Sequence, residues 1–275
     1  MQDQTASRTA IGAAYIRAVH QILDAKPGIL DDPVAARLLG PNTEKQIRAD
    51  AARHMTAEAK ALRSHVVLRS RFAEERLKLS LERGVKHYIL VGAGLDTFAL
   101  RQPDWAAGLT IVEVDHPNTQ RLKLDKIGAA GLRVPDNVFF AALDFESQSL
   151  EQGLSRHGIE AKDPVFFSWL GVTMYLAEPA IDATLNCMAR GPRGSEAVIT
   201  FRQPVPWRSR LAERVDELGE PFVSLFTPEQ FNDKLLQAGF DRVEFLTQDL
   251  AARYLLARPD SLPPPKLASI ASALL

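Results

Sequence analysis

Apolar positions recur at helical spacing through the first third of the chain and then give way to short, nearly continuous apolar runs. Between Thr9 and Leu39, the residues Ile11, Ala14, Ile16, Val19, Ile22 and Leu23 fall near one helical face. The turn Lys26-Pro27-Gly28 interrupts them, and Asp32-Pro33 opens a second, shorter helix. A longer helical stretch, roughly Ala51 to Arg83, carries Val66, Val67, Phe72, Leu77 and Leu81 among many Arg and Glu, and Gly84 stops it. Only helices therefore precede the first strand.

After Gly84 the period changes. His87 to Val91 is a β-prone run ending in Gly92-Ala93-Gly94, and Leu109 to Val114 is another, ending in Asp115 and followed by a helix over Pro117 to Ala130. Val138 to Leu143 ends in Asp144; Pro164 to Leu170 and Glu196 to Phe201 are further apolar runs. Thr227, Pro228 and Gly239 mark the cap, first residue and stop of a helix that leads into the alternating strand Arg242 to Leu246, with Tyr254 to Ala257 as a last strand. Continuous apolar strands alternating with helices predict a parallel sheet covered on both faces. The expected fold is α/β: a Rossmann-like, mostly parallel, seven-stranded sheet with helices on both faces and an N-terminal helical cap. One domain is expected, with the cap and first sheet-packing helix in 1–84, the core in 85–258 and a loosely attached tail in 259–275 that contains Pro263-Pro264-Pro265. Residues 202–226 interrupt the alternation, as a lid or as a long surface connection.

Composition narrows the function. Hydrophobic residues make up 46% and charged residues 24%, an ordinary globular balance, and a net charge of −1 provides no basic field for nucleic acid or an anionic membrane. A small-molecule acceptor fits better as partner. With Cys187 as the single cysteine, no intramolecular disulfide can form, and the reduced cytoplasm is the expected compartment. Met1 to Thr9 lacks a leader pattern, and no apolar run approaches about 20 residues. His20, His54, His65, His87, His116 and His157 show no zinc-type spacing, and no phosphate-loop Gly-Lys-Ser/Thr occurs, which disfavours metal hydrolases and nucleotide triphosphatases.

Candidate chemistry gathers at the carboxyl ends of the first strands. In Val91-Gly92-Ala93-Gly94-Leu95-Asp96-Thr97 the glycines let backbone pass close to a ligand, although a tight turn alone would also use them. A dinucleotide fingerprint would continue to a third glycine and a clean helix start, whereas here Asp96 follows; a carboxylate there repels phosphates, so a phosphate-free, positively charged cofactor such as S-adenosylmethionine is favoured. Glu113 and Asp115 share a strand face, and either could accept hydrogen bonds from ribose hydroxyls; capping the next helix is the alternative for Asp115. Asp144 could take an adenine amino group with Phe145 beside the ring, and an acid in a solvated turn is the alternative. Phe167 to Leu176 supplies a strand and a turn in which Trp169 and Tyr175 read as wall residues.

Together these residues resemble the leucine carboxyl methyltransferase family, including bacterial polyketide O-methyltransferases and actinobacterial members. The resemblance runs through Asp31-Asp32-Pro33, Arg69-Ser70-Arg71-Phe72, Gly92 to Thr97, Glu113 to Pro117, Asp144-Phe145 and Gly171 to Leu176. It implies that Arg71 holds the cofactor carboxylate, Gly92 underlies the methionine moiety, Asp115 takes the ribose and Asp144-Phe145 flanks adenine. Leu170 departs from the glutamate usual there, and Phe98 replaces an arginine. The expected cofactor contacts are thus Arg71, Gly92, Ala93, Gly94, Asp96, Glu113, Asp115, Asp144, Phe145 and Leu170.

The expected activity is S-adenosylmethionine-dependent O-methyl transfer to a carboxylate or hydroxyl of a small molecule. A carboxylate needs no base; for a hydroxyl the candidates are His116 and Tyr175. No metal is required. The alternatives are a degenerate, non-catalytic S-adenosylmethionine-binding protein, suggested by Leu170, and a nicotinamide-dependent oxidoreductase, which shares the glycines and the acid.

Overall fold

The computed structural model of the chain describes residues 6–145, 147–155, 162–204, 213, 216–255, 258–260, 262–265 and 269–275. Local capping chemistry sets the N-terminal helices. Ser7 starts α1 (Arg8–Leu23) by accepting from the Ala10 N–H, and Asp32 starts α2 (Pro33–Leu39) by accepting from the Ala35 N–H, with Pro33 at the first helical position. Two short helices, α3 (Thr43–Ala49) and α4 (Ala51–His54), lead to Thr56, which caps the long α5 (Ala57–Ser80). After a single 3-10 turn, Gly84 ends this run in the left-handed conformation at φ +86°.

The strands and helices that follow are β1 (His87–Val91), β2 (Thr110–Asp115), α6 (Pro117–Ala129), β3 (Val138–Ala142), α7 (Leu150–Ser155), β4 (Val165–Trp169), α8 (Glu178–Met188), β5 (Glu196–Thr200), α9 (Pro228–Ala238), β6 (Arg242–Phe245), α10 (Gln248–Ala252) and β7 (Ile270–Leu274). The sheet order is β3-β2-β1-β4-β5-β7-β6. Pairings from β3 through β5 are parallel, and β7 runs antiparallel to both of its neighbours.

Alternation along the strands divides the core in two. Ile89, Val91, Val112, Val114, Phe167 and Trp169 face α7, α8 and α9, whereas Tyr88, Leu90, Ile111 and Phe166 face α5. Both faces are covered, which is why the strands read as continuous apolar runs.

The C-terminal expectation is corrected by the sheet. The tail is not loose: Ile270, Ala271 and Ala273 are fully buried in β7 between β5 and β6, and the Ser272 hydroxyl donates to Glu196 Oε1 at 2.6 Å. Tyr254 follows α10 in a turn and is in no strand, while residues 256–257 lie outside the described part. Of the 202–226 connection, residues 205–212, 214 and 215 also lie outside it. Its end is pinned beside the turn after β4. The Val223 N–H donates to the Met174 carbonyl (2.7 Å), the Ser224 hydroxyl to the Leu176 carbonyl (2.6 Å), and the Phe226 N–H to the Arg202 carbonyl (2.9 Å). Among the described residues, no helix is long and apolar enough to cross a membrane, and no group of three or more His, Cys, Asp or Glu side chains could hold a metal ion.

Candidate active site

Strand order puts the candidate residues on one rim. The chain reverses direction across the sheet between β1 and β4, and open α/β sheets hold ligands at such a switch point, beyond the carboxyl ends of the strands. Gly92, Asp115 and Asp144 follow three adjacent strands, and the backbone stitches them together: the Gly92 and Ala93 N–H groups donate to the Val114 carbonyl at 2.8 and 3.1 Å, and the Leu143 N–H donates to the Asp115 carbonyl at 2.8 Å.

The glycines are demanded by contact as well as by dihedral. Gly92 has φ +67°, and a Cβ on it would collide with Val172 Cγ2 in the turn after β4. Gly94 has φ +52° and faces Ala10 of α1, so the start of the helical cap lies over the glycine turn. Asp96 folds back on its own loop, its carboxylate accepting from the Phe98 N–H at 2.7 Å.

The acids behave differently from one another. Asp115 accepts from the Gly94 N–H and, at 2.7 Å, from the His116 N–H, so its carboxylate is held at the glycine turn, and burial raises its pKa against those two bonds. Glu113 shares its strand face but stands one layer deeper, 2% exposed, where it is paired with the buried Lys123 of α6. Burial pushes Glu113 up to about 7 despite that lysine, and its Oε1 has no hydrogen-bond partner among the described residues. Glu113 therefore supports the rim from below. Asp144 sits half-buried after β3 with Ser147 donating to it at 3.1 Å, and Phe145 packs against the larger core cluster. His116 caps α6, its Nδ1 accepting from the Asn118 N–H at 3.3 Å, which uses that ring nitrogen structurally.

Arg71 is not brought to this rim. It lies on the outer face of α5, 44% exposed, in an i,i+4 pair with Glu75. Arg69, two residues earlier and about 200° around the helix, is the arginine that reaches the site. Its guanidinium rests on Gly171, where an added Cβ would lie 2.5 Å from one terminal nitrogen. Arg69 Nε is buried with no hydrogen-bond partner among the described residues, and burial, reinforced by the charge of Arg17, lowers the group to about 10. Leu170, where an acid was expected from the resemblance, packs on the α5 face of the core instead. The turn is held by Thr200, whose hydroxyl accepts from the Gly171 N–H at 2.6 Å and whose carbonyl accepts from the Thr173 hydroxyl at 2.7 Å.

A buried ionic network, whose arginines and Glu74 the sequence reading did not single out, fixes the cap to the glycine loop. Arg17 donates to Asp32 (2.8 Å) and to the Leu95 carbonyl (2.6 Å), Thr97 donates to Asp32 (2.7 Å), and Arg101 joins Thr97 to Glu74. Burial raises Asp32, but the charges of Arg17 and Arg101 and the bonds from Thr97 and Arg17 outweigh it and hold the carboxyl below its ordinary value.

Tyr175, named from the sequence, lies on the turn after β4 beside Phe222 and Arg202, which the sequence reading did not single out. Burial raises Tyr175 against a hydrogen bond with Thr9; the Phe222 ring is tilted against it with ring centroids 5.5 Å apart, and the Arg202 guanidinium lies 4.3 Å from the Phe222 ring centroid. Glu220 closes the side: its carboxylate accepts from the Ser7 and Thr9 hydroxyls and from the Arg8 and Thr9 N–H groups at the start of α1. His65, one helical turn before Arg69, lies within the fields of Arg69 and Arg202. The i,i+4 spacing of His65 and Arg69 was the available signal, hidden among the many charges of α5.

Sequence comparison was decisive for the family: the leucine carboxyl methyltransferase pattern matches residues 10–189. The chain belongs to the leucine carboxyl methyltransferase family. Within this setting it is 28% identical to YktD of Bacillus subtilis (strain 168), over 90% of this chain and 91% of that protein, and 25% identical to a Mycobacterium marinum protein over 93% and 90%. Both carry provisional names as S-adenosyl-L-methionine-dependent methyltransferases. Solved structures share the fold: a DUF574 family protein from Streptomyces avermitilis superposes with a TM-score of 0.58 at 15% identity, covering 98% of this chain and 97% of that one. A Thermobifida fusca protein gives 0.58 at 19% identity, with 87% and 91% covered. The α/β sheet and the family expected from the sequence are both confirmed, and S-adenosylmethionine-dependent methyl transfer is the activity that membership supports.

Proposed function

We propose that this leucine carboxyl methyltransferase family member transfers a methyl group from S-adenosylmethionine to an oxygen of a small-molecule acceptor. The observation that carries the reading is the convergence of Gly92, Asp115, Asp144 and Arg69 on one rim. The residues fit such a cofactor. The glycine turn leaves no room for a Cβ, Arg69 offers a buried donor that no described residue takes up, and the acids at the rim tolerate a cationic ligand and disfavour phosphates. When bound, S-adenosylmethionine supplies an electrophilic methyl carbon on a sulfonium.

In this reading Arg69 holds the amino-acid carboxylate, taking over the role first expected of Arg71. Gly92 to Gly94 lie under the methionine portion, Asp115 accepts from ribose hydroxyls, and Asp144 with Phe145 flanks adenine. The chain's remaining task is alignment and exclusion of water. The start of α1, clasped by Glu220, and the 223–226 segment over Met174 cover the rim for that purpose.

Calorimetric titration with S-adenosylmethionine and S-adenosylhomocysteine tests the reading, with reduced nicotinamide dinucleotide as the control. Heat from the two sulfur nucleosides, weakened about tenfold or more in Asp115→Asn, is expected. No heat from either, or heat from the nicotinamide alone, overturns it.

A further inference from the structure

We propose that Ser7 to Ala10 form a strap that latches over the cofactor, with Glu220 as its catch, and that cofactor and product exchange by release of this latch. The proposal rests on the methyl-transfer reading and assigns the entry and exit of that site.

Contacts on both sides of the glycine turn define the strap. On one side the Ser7 N–H donates at 3.1 Å to the Thr119 hydroxyl of α6, the helix that follows β2. In the middle Ala10 lies on Gly94 in the turn after β1, where an added Cβ would stand 3.0 Å from the alanine methyl. On the other side Glu220 holds Ser7, Arg8 and Thr9, and three residues later the Val223 N–H donates at 2.7 Å to the Met174 carbonyl in the turn after β4. The strands β2, β1 and β4 are consecutive neighbours in the sheet, so the strap crosses the carboxyl ends where the candidate site lies. A ligand that rests on the glycine turn and reaches Asp115 lies beneath it.

One carboxylate makes the catch. Glu220 Oε1 accepts from the Arg8 N–H at 2.6 Å, and Oε2 accepts from the Ser7 hydroxyl at 3.2 Å, the Thr9 N–H at 3.3 Å and the Thr9 hydroxyl. The two N–H groups belong to the first turn of α1, which has no carbonyl of its own helix to offer them, so the negative charge also meets the positive end of the helix. Both bodies that the catch joins are secured without it. Farther along α1, Arg17 is tied to Asp32 and to the Leu95 carbonyl, and Ala14 and Ala18 are fully buried. Beyond Glu220, Val223, Ser224 and Phe226 are pinned to Met174, Leu176 and Arg202. Ser7 to Ala10, by contrast, are half-buried or exposed, so little apolar surface holds them down and the polar contacts decide whether the strap is shut. Loss of the Glu220 bonds frees the first turn of α1 and leaves the rest in place.

The test uses the full chain and S-adenosylhomocysteine, with release followed by chasing labelled nucleoside with unlabelled and association by rapid mixing. Glu220→Gln keeps the size of the side chain and removes its charge. It is expected to raise both rate constants by about tenfold or more and to leave Kd within about threefold, because the same latch opens for entry and for exit. The converse experiment shuts the latch. In a Cys187→Ser background, Arg8→Cys and Glu220→Cys are joined by a short bifunctional thiol reagent. Joined after loading, the protein is expected to hold the nucleoside about tenfold longer than the wild type or more, and joined before loading, to admit it correspondingly more slowly. Exchange of Glu220→Gln at wild-type rates, faster release with association unchanged and binding weakened in proportion, or free exchange by the joined protein overturns the latch. Thermal shift with S-adenosylhomocysteine separates the two levels: binding by the wild type with exchange unaltered in these variants refutes the latch alone, whereas absent binding in the wild type refutes the methyl-transfer reading and the latch with it.

Discussion

Replacing Gly92 by alanine probes the contact on which the rim depends. Gly92 sits at φ +67°, where an L-residue pays about 1–2 kcal/mol. The new Cβ would also strike Val172 Cγ2 and lie 3.3 Å from Cγ1 and 3.4 Å from Cβ, so rotating that branched side chain exchanges one crowded methyl for another. Val172 belongs to the turn whose next residues carry Met174 and Tyr175, and its displacement adds a term of overpacking size, about 1–3 kcal/mol. Together Gly92→Ala should destabilise the protein by about 2–5 kcal/mol, read as a lower urea midpoint at unchanged slope. Val172→Ala removes the collision but not the dihedral strain. A double-mutant cycle should therefore show that Val172→Ala rescues the overpacking part, about 1–3 kcal/mol, of the Gly92→Ala loss. Full additivity of the two changes, or a Gly92→Ala protein as stable as wild type, would refute the reasoning.

Three further outcomes follow from the same geometry. Arg69→Met should weaken S-adenosylhomocysteine binding by roughly tenfold or more in calorimetry, while Arg71→Met, which removes only an exposed i,i+4 pair with Glu75, should leave it unchanged. Arg17→Met should lower stability by about 3 kcal/mol in denaturant titration, because Asp32 stays buried with its nearest charge gone. Acid stability should carry two signatures in urea midpoints across pH. Asp32, lowered in the native state, contributes stability above the ordinary carboxylate range that is lost as pH falls through its depressed value, so Asp32→Asn should flatten that limb. His65, lowered to about 3, takes up its proton only in the unfolded chain between about 6.5 and 3, which removes up to about 1.4 kcal/mol per pH unit; His65→Gln should reduce that slope.

By itself, the sequence determined the elements whose signals are local. A proline at a helix start, a glycine at a helix stop, and a run of buried or alternating apolar residues act over a few positions, so the helical cap, the first six strands and the acids after β2 and β3 were legible. Gly92, Asp115 and Asp144 could be placed on one rim because parallel strands separated by helices must present their carboxyl ends together. The rest was decided by tertiary structure. Ile270 to Leu274 is short, rich in alanine and serine, and becomes a strand only because β5 and β6 leave a slot with unpaired backbone groups between them. Arg69 and Arg71 are equivalent as letters two positions apart; the rotation of α5 against the sheet turns one onto Gly171 and the other to solvent. His65, Arg202, Phe222 and Glu220 come from segments far apart in the chain, and no period or motif relates them. Their meeting place exists because the connection after β5 folds back over the turn after β4, a long-range packing choice that local propensity does not encode.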